Sequence, residues 1–168
     1  MDQATGGLVA GRPRMPTAYG MATQSDGTLP WSWAEEQLRA ARNYWVCSTR
    51  PDGRPHAMPV WGLWLDGAVL FSTDPSSRKG RNLTANPAAV VHLGSGDDVV
   101  IVEGRGQPMR DADMLARCCD AYEAKYAIRP EPDNQAQGFF AVRPTTVLGW
   151  RERDFPTSAT RWAFAPFA

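Results

Sequence analysis

Residues 44–73 read YWVCSTRPDGRPHAMPVWGLWLDGAVLFST, and this stretch decides the fold. Tyr44 to Thr49 is β-rich and reads as a strand. Pro51-Asp52-Gly53 supplies a turn, because proline presets φ and glycine admits positive φ. Residues 55–65 read as a second strand, broken or bulged at Pro59, which has no N–H to give to a ladder. Asp66-Gly67 is a two-residue hairpin signal, and residues 68–73 form a third strand. Upstream, Ser32-Trp33-Ala34-Glu35 fits a capping box, so a helix is expected from there to about Asn43.

Downstream the pattern changes. Residues 76–86 look helical and end before Pro87. Residues 88–93 and 98–105 are strands separated by Gly94-Ser95-Gly96-Asp97. Over 111–127, Leu115, Cys118, Cys119, Tyr122 and Tyr126 recur at helical spacing along one face. Residues 139–142 and 145–150 give one or two late strands, and 160–164 a last one. The chain is therefore expected to be mainly β with helical insertions (α+β), a barrel of closely spaced antiparallel strands and not a βαβ sheet. Residues 1–29 are rich in turn formers without an apolar period and read as a mobile tail. The domain spans 30–168.

Composition narrows the function. A chain of 168 residues is one domain. Lys+Arg and Asp+Glu both number 18, which argues against a chain-wide field for nucleic acid or membrane. No apolar run is long enough to span a bilayer, and the N-terminus has no h-region of a signal peptide. Cys47, Cys118 and Cys119 are an odd count, which reads as reduced thiols in a cytoplasmic protein. With two histidines and no CxxC or HExxH, no metal site is expected. No side-chain nucleophile motif of the GxSxG or P-loop type occurs, so no catalytic residue is assigned.

Two stretches carry chemistry. In FSTDPSSRKGRNL, residues 71–83, a strand gives way to two serines and a basic helix start with Arg78, Lys79 and Arg81. Free N–H groups and the helix dipole favour an anion there. Ser76 and Ser77 can donate hydroxyl hydrogen bonds, an arginine can clamp two phosphate oxygens, and Lys79 adds a point charge. On this reading Lys79 is exposed until a ligand arrives. Charge alone favours a capped surface helix with solvated basic residues. In GRPHAMPVWGLW, residues 53–64, His56 sits among Met58, Pro59, Val60 and Trp61. Backbone groups freed near Pro59 could meet a flat heteroaromatic ligand, or the stretch is an ordinary edge strand.

Taken together, GRPHxxPVW, the Asp-Gly hairpin, FST, SxRKxxNL and NPxVxxH resemble the flavin/deazaflavin split-barrel family, the pyridoxamine 5′-phosphate oxidase-like proteins. The resemblance covers about residues 31–168, and the segments RNYWVCSTRPDGRPHAMPVWG and SSRKGRNL read most like those of actinobacterial members that use the deazaflavin F420. It implies a split barrel that dimerises and binds two cofactors in grooves at the subunit interface. Arg78 and Lys79, with Ser77 and Asn82, would hold the cofactor phosphate. Ser72 and Thr73 would line the phosphate and ribityl path, and residues 56–61 the tricyclic ring. The redox chemistry would belong to the cofactor. The C-terminal stretch GWRERDFPTSATRWAF lacks the arginine and histidine motif with which vitamin B6 oxidases hold their substrate. The expected function is hydride transfer from reduced F420 to a planar or conjugated small molecule. An FMN-dependent oxidoreductase is the first alternative, and a non-catalytic F420, FMN or tetrapyrrole carrier the second. The basic cluster alone does not separate F420 from FMN, since both carry a ribityl-linked phosphate.

Overall fold

A computed structural model describes residues 8–131 and 137–165. Its elements are β1 (Val9–Gly11), α1 (Trp31–Ala40), β2 (Asn43–Thr49), β3 (Pro55–Trp61), β4 (Leu63–Leu65), β5 (Ala68–Thr73), α2 (Arg78–Ala85), β6 (Ala88–His92), β7 (Asp98–Pro108), α3 (Ala112–Tyr126), β8 (Gly138–Arg151), α4 (Phe155–Ser158) and β9 (Thr160–Ala163). All the strand pairs are antiparallel. The order along the sheet is β1-β9-β8-β7-β6-β2-β3, with β5 on β8 and β4 on β5.

β8 is the hub. It runs beside β7 from Asp98↔Arg151 to Pro108↔Phe140. Its first half also pairs with β5, Gly138 to Val142, and its second half with β9, Thr146 to Gly149. One strand thus serves two neighbours on its far side, and this splits the barrel. The change of neighbour falls at a bulge: Glu103 faces Thr146 and Gly104 faces Pro144, leaving Thr145 extra. Gly104 is required there, since a Cβ would stand 2.1 Å from the Arg143 carbonyl oxygen. Of the one or two late strands expected from the sequence, the structure has one bent strand.

The interior holds Tyr44, Val46, Val69, Phe71, Leu83, Val91, Val102, Val142 and Trp162, all buried. A second cluster packs Leu70 and Ala68 against Cys118, Cys119, Tyr122 and Tyr126 of α3. β5 lies between the two clusters, which is why AVLF is a continuous apolar run.

Two expectations are corrected. The capping box does not form: α1 starts two residues earlier, behind an extended Pro30, with no side-chain cap. Glu35 instead accepts from Trp64 Nε1 at 3.2 Å and pairs with Arg39 at 3.2 Å. Trp31 opens the helix because its ring packs edge-on against Trp64, Trp162 and Phe164. The second strand breaks at Gly62 and not at Pro59, which faces Trp45 in an unbroken register. β3 is the edge of the sheet, where a missing N–H costs little.

Residues 8–29, expected as part of a tail, lie against the domain in the structure. Val9–Gly11 pairs with Ala163–Arg161 of β9. The Arg12 guanidinium donates to the carbonyls of Gln24 at 2.9 Å, Asp26 at 2.6 Å and Ala159 at 3.0 Å, and also to that of Thr157. This segment is held by backbone ladders and one arginine, neither of which needs an apolar period. Residues 1–7 of the expected tail, and 166–168 of the domain, lie outside the described residues.

Candidate functional site

Where β3 ends, the chain turns through Gly62 into β4. A Cβ at Gly62 would stand 2.9 Å from the Leu70 carbonyl oxygen and 3.0 Å from the Tyr44 ring, so only glycine passes. The turn takes backbone groups out of the ladder, and α3 satisfies them. Tyr126 Oη accepts from Gly62 N–H at 2.9 Å and lies 2.7 Å from the carbonyl oxygens of both Gly62 and Arg42. Tyr122 Oη donates to the Trp61 carbonyl at 2.6 Å and accepts from Ser72 N–H at 3.2 Å. The Trp61 and Tyr126 rings stack with centroids 4.8 Å apart.

In front of this turn lies a cavity of about 370 Å³. Pro59, Val60 and Trp61 form one wall, Ser72 and Tyr122 another, and Lys79 closes one end. The chain leaves α3 through Ala127 in the left-handed conformation, and Ile128 and Pro130 then border the opening.

The Lys79 end is built by the start of α2. Ser77 caps the helix, its Oγ accepting from Gly80 N–H at 3.1 Å, with Thr73 Oγ1 3.3 Å from the same oxygen. Asp74 accepts from Ser76 N–H at 2.7 Å, and hydrogen bonding from the Ser76 side chain, with that N–H, holds its carboxyl below the usual range. Gly80 lets the 74–75 loop fold over the helix: a Cβ would stand 2.5 Å from the Pro75 carbonyl oxygen.

Lys79 is only 9% exposed, which corrects the expectation of an exposed lysine. Its stem runs into the domain and its Nζ sits 5.7 Å over the Phe71 ring. Burial pushes its pKa below 10.5, and no carboxylate among the described residues pairs with it. Beneath lies a polar group of three. Asn82, fully buried, donates from Nδ2 to Ser48 Oγ at 3.1 Å, and Ser48 faces His56 across the β2–β3 ladder. Asn82 Oδ1, His56 Nδ1 and Arg50 Nε are buried without a partner among the described residues. Burial lowers the His56 pKa, and Arg50, Lys79 and Arg78 lower it further, so the ring is neutral at pH 7. Unsatisfied buried polar atoms are uncommon and mark places where a ligand or water completes the bonding.

The structure thus brings Pro59, Val60, Trp61, Ser72 and Lys79 to one cavity. Thr73 and Ser77 stand at the helix start behind it, and Arg78 is exposed. His56 and Asn82 join through Ser48 and do not line the cavity. Met58 is 48% exposed on the edge strand. Sequence reading did not single out Arg50, Ile128 or Pro130, and it placed Tyr122 in the helix stripe without assigning it to the site. For Tyr122 a signal was present: a hydroxyl within an apolar helix stripe needs a partner.

Among the described residues no group of three or more histidine, cysteine or acidic side chains could hold a metal ion. No helix there is long and apolar enough to cross a membrane.

A split antiparallel barrel with one buried lysine at the end of an apolar cavity defines a class of cofactor-dependent oxidoreductases. The family description "Pyridoxamine 5′-phosphate oxidase" matches residues 33–151, and the chain belongs to that family of split-barrel oxidoreductases. A pyridoxine/pyridoxamine 5′-phosphate oxidase of Rubrobacter xylanophilus is 28% identical over 188 aligned residues, which span 87% of this chain and 86% of that one. Among solved structures, a conserved hypothetical protein of Mycobacterium tuberculosis superposes with a TM-score of 0.66 at 20% identity, covering 79% of this chain and 91% of its own. A protein described as F420 reductase gives 0.56 at 24% identity, covering 67% and 94%. These two likenesses concern the fold.

Proposed function

We propose that this chain is an F420-dependent oxidoreductase acting on a planar or conjugated small molecule. The observation that carries the reading is the cavity in which the Pro59-Val60-Trp61 wall meets Lys79. A planar ring fits against proline, valine and tryptophan, and a phosphate would supply the anion that Lys79 lacks. When bound, the cofactor supplies the hydride. The chain's part is to place the ring against Trp61, to hold the phosphate at Lys79, Ser72, Thr73 and the start of α2, and to keep water from the ring with Ile128 and Pro130. No side chain of the cavity is assigned a proton.

The cations favour F420 over FMN. Arg50 and Arg78 bear on His56 together with Lys79, and neither has an ion-pair partner among the described residues, whereas Arg54 is paired with Asp52 at 2.7 Å. One phosphate needs fewer positive charges than this. F420 carries carboxylates beyond its phosphate, and FMN does not. FMN remains the second reading, favoured by Lys79 being the one cation among the described residues that lines the cavity itself. Titrating FMN and F420 side by side tests both. F420 should bind more tightly, and Arg50→Ala should weaken F420 at least threefold more than FMN. Binding of neither cofactor sinks the reading. Tight binding without consumption of reduced cofactor, over a panel of conjugated substrates, would mark a carrier.

The assembly belongs to the same proposal. β3 is an open sheet edge beside half-exposed Trp45 and Trp61. Trp45 stacks on His92 on the outer face of the sheet. Such a face on an edge strand asks for a cover, and a second copy of this chain would cover it and complete the cavity at Trp61. Light scattering at micromolar concentration should give a homodimer, and Trp45→Glu should shift it toward monomer. A monomeric wild type would rule the shared groove out. The three free thiols suit a reducing, cytoplasmic setting.

A further inference from the structure

The two tyrosine hydroxyls of α3 differ in what they hold. β4 pairs with β5 only between Ala68 and Leu70. Two residues on, at Ser72, that edge of β5 has no strand beside it, and the N–H is taken by Tyr122 Oη. The same oxygen donates to the carbonyl of Trp61, the last residue of β3. One phenol therefore joins two backbones that no ladder joins. Trp61, Ser72 and Tyr122 all line the cavity. Burial holds the phenol protonated far above its ordinary range, so it is a constant donor. Tyr126 makes a similar set of bonds one turn later, but to Gly62 and Arg42, behind the cavity.

We infer that Tyr122 is a positioning residue: its hydroxyl ties the Trp61 end of β3 to Ser72 of β5, and so fixes the shape of the cavity that a planar ring would enter. This rests on the function proposed above. A hydroxyl that only stabilised the fold would act as Tyr126 does. A hydroxyl that fixes the shape of the cavity acts on the ring, and it acts whether or not the ring carries a phosphate.

The test uses Tyr122→Phe and Tyr126→Phe in the full chain. Both keep the ring in its packing, and both remove hydrogen bonds from backbone groups at the same turn. Both should lower the melting temperature of the unliganded protein. Only Tyr122→Phe should weaken FMN and F420, by about tenfold, and shift the absorption maximum of the bound cofactor. Riboflavin, which has the ring without the phosphate, should lose affinity by the same factor. Amide exchange at Ser72 in the unliganded protein should accelerate in Tyr122→Phe alone. The inference is overturned if Tyr122→Phe binds as the wild type does, or if Tyr126→Phe weakens binding equally. It is also overturned if riboflavin affinity is unchanged, which would place the effect at the phosphate end. A wild type that binds neither FMN nor F420 overturns the proposed function and this role with it. A wild type that binds beside an equally tight Tyr122→Phe overturns the role alone.

Discussion

Lys79→Met is expected to weaken FMN and F420 at least tenfold while raising the melting temperature of the unliganded protein. The methionine keeps an alkyl stem over Phe71 and removes only the charge. In the unliganded fold that charge is buried without a carboxylate partner, and burying an unpaired charge is unfavourable. In the complex the same charge meets phosphate, and a hydrogen bond to a charged group is worth about 1.5–3 kcal/mol, or roughly 10- to 150-fold in affinity. Riboflavin should bind the variant and the wild type alike. The pH dependence follows from the depressed pKa. The unfolded chain holds the Lys79 proton up to 10.5, while the folded chain releases it earlier. Between the lowered value and 10.5 the unfolded state carries more protons, so the wild type gains stability as pH rises through that window. Below the window the full penalty applies. The methionine variant should lack this gain. A variant that melts lower and binds both cofactors normally would make Lys79 a structural residue and remove the main support for a phosphate site.

Gly80→Ala should cost both stability and affinity. In an ordinary helix interior this change stabilises by about 1 kcal/mol. Here the new Cβ would lie 2.5 Å from the Pro75 carbonyl oxygen and 2.7 Å from that of Asp74. Both are backbone atoms and cannot rotate away. Overpacking of this kind costs about 1–3 kcal/mol, which cancels or exceeds the helix gain. The melting temperature should fall by up to roughly 8 °C for a net loss of about 2 kcal/mol in a chain of this size. The atoms that must yield belong to the loop that places Thr73, Ser77 and Lys79, so phosphate-bearing cofactors should weaken together with the fold. A stabilised variant with unchanged binding would mean that the loop is not fixed by this contact.

The sheet was legible because its signals are local. The β-rich run of β2, the Pro51-Asp52-Gly53 and Asp66-Gly67 turns and the stripe of α3 each lie within a few residues. Half of the cavity was legible for the same reason, as residues 56–61 and 72–82 are separated by one hairpin. What the sequence hid is tertiary. Pro59 looked like a break because proline has no N–H, and only the edge position of β3 makes that harmless. The break at Gly62 is set by Leu70 and Tyr44, which approach from β5 and β2. Tyr122, Ile128 and Pro130 come to the cavity from more than forty residues beyond Lys79. The burial of Lys79 follows from the fold of the 74–75 loop over α2, and no spacing announces it. The segment 8–29 carries its fixing in Arg12 and in carbonyl oxygens, which are the same in every sequence.

The position of β8 bears on how the chain is made. Every route around the sheet passes through it, since β5, β7 and β9 all pair with it and not with one another. During synthesis the β2–β3 hairpin, β6 and most of β7 can assemble as soon as they emerge, because their partners lie close by in the chain. β5 must wait from residue 73 until residue 138 before its outer edge is paired. Long-range pairings of this kind slow folding and leave unpaired strand edges open to other chains meanwhile. Newly made chains should therefore be most prone to aggregate just before β8 appears, and slower synthesis ahead of residue 138 would lengthen that exposure.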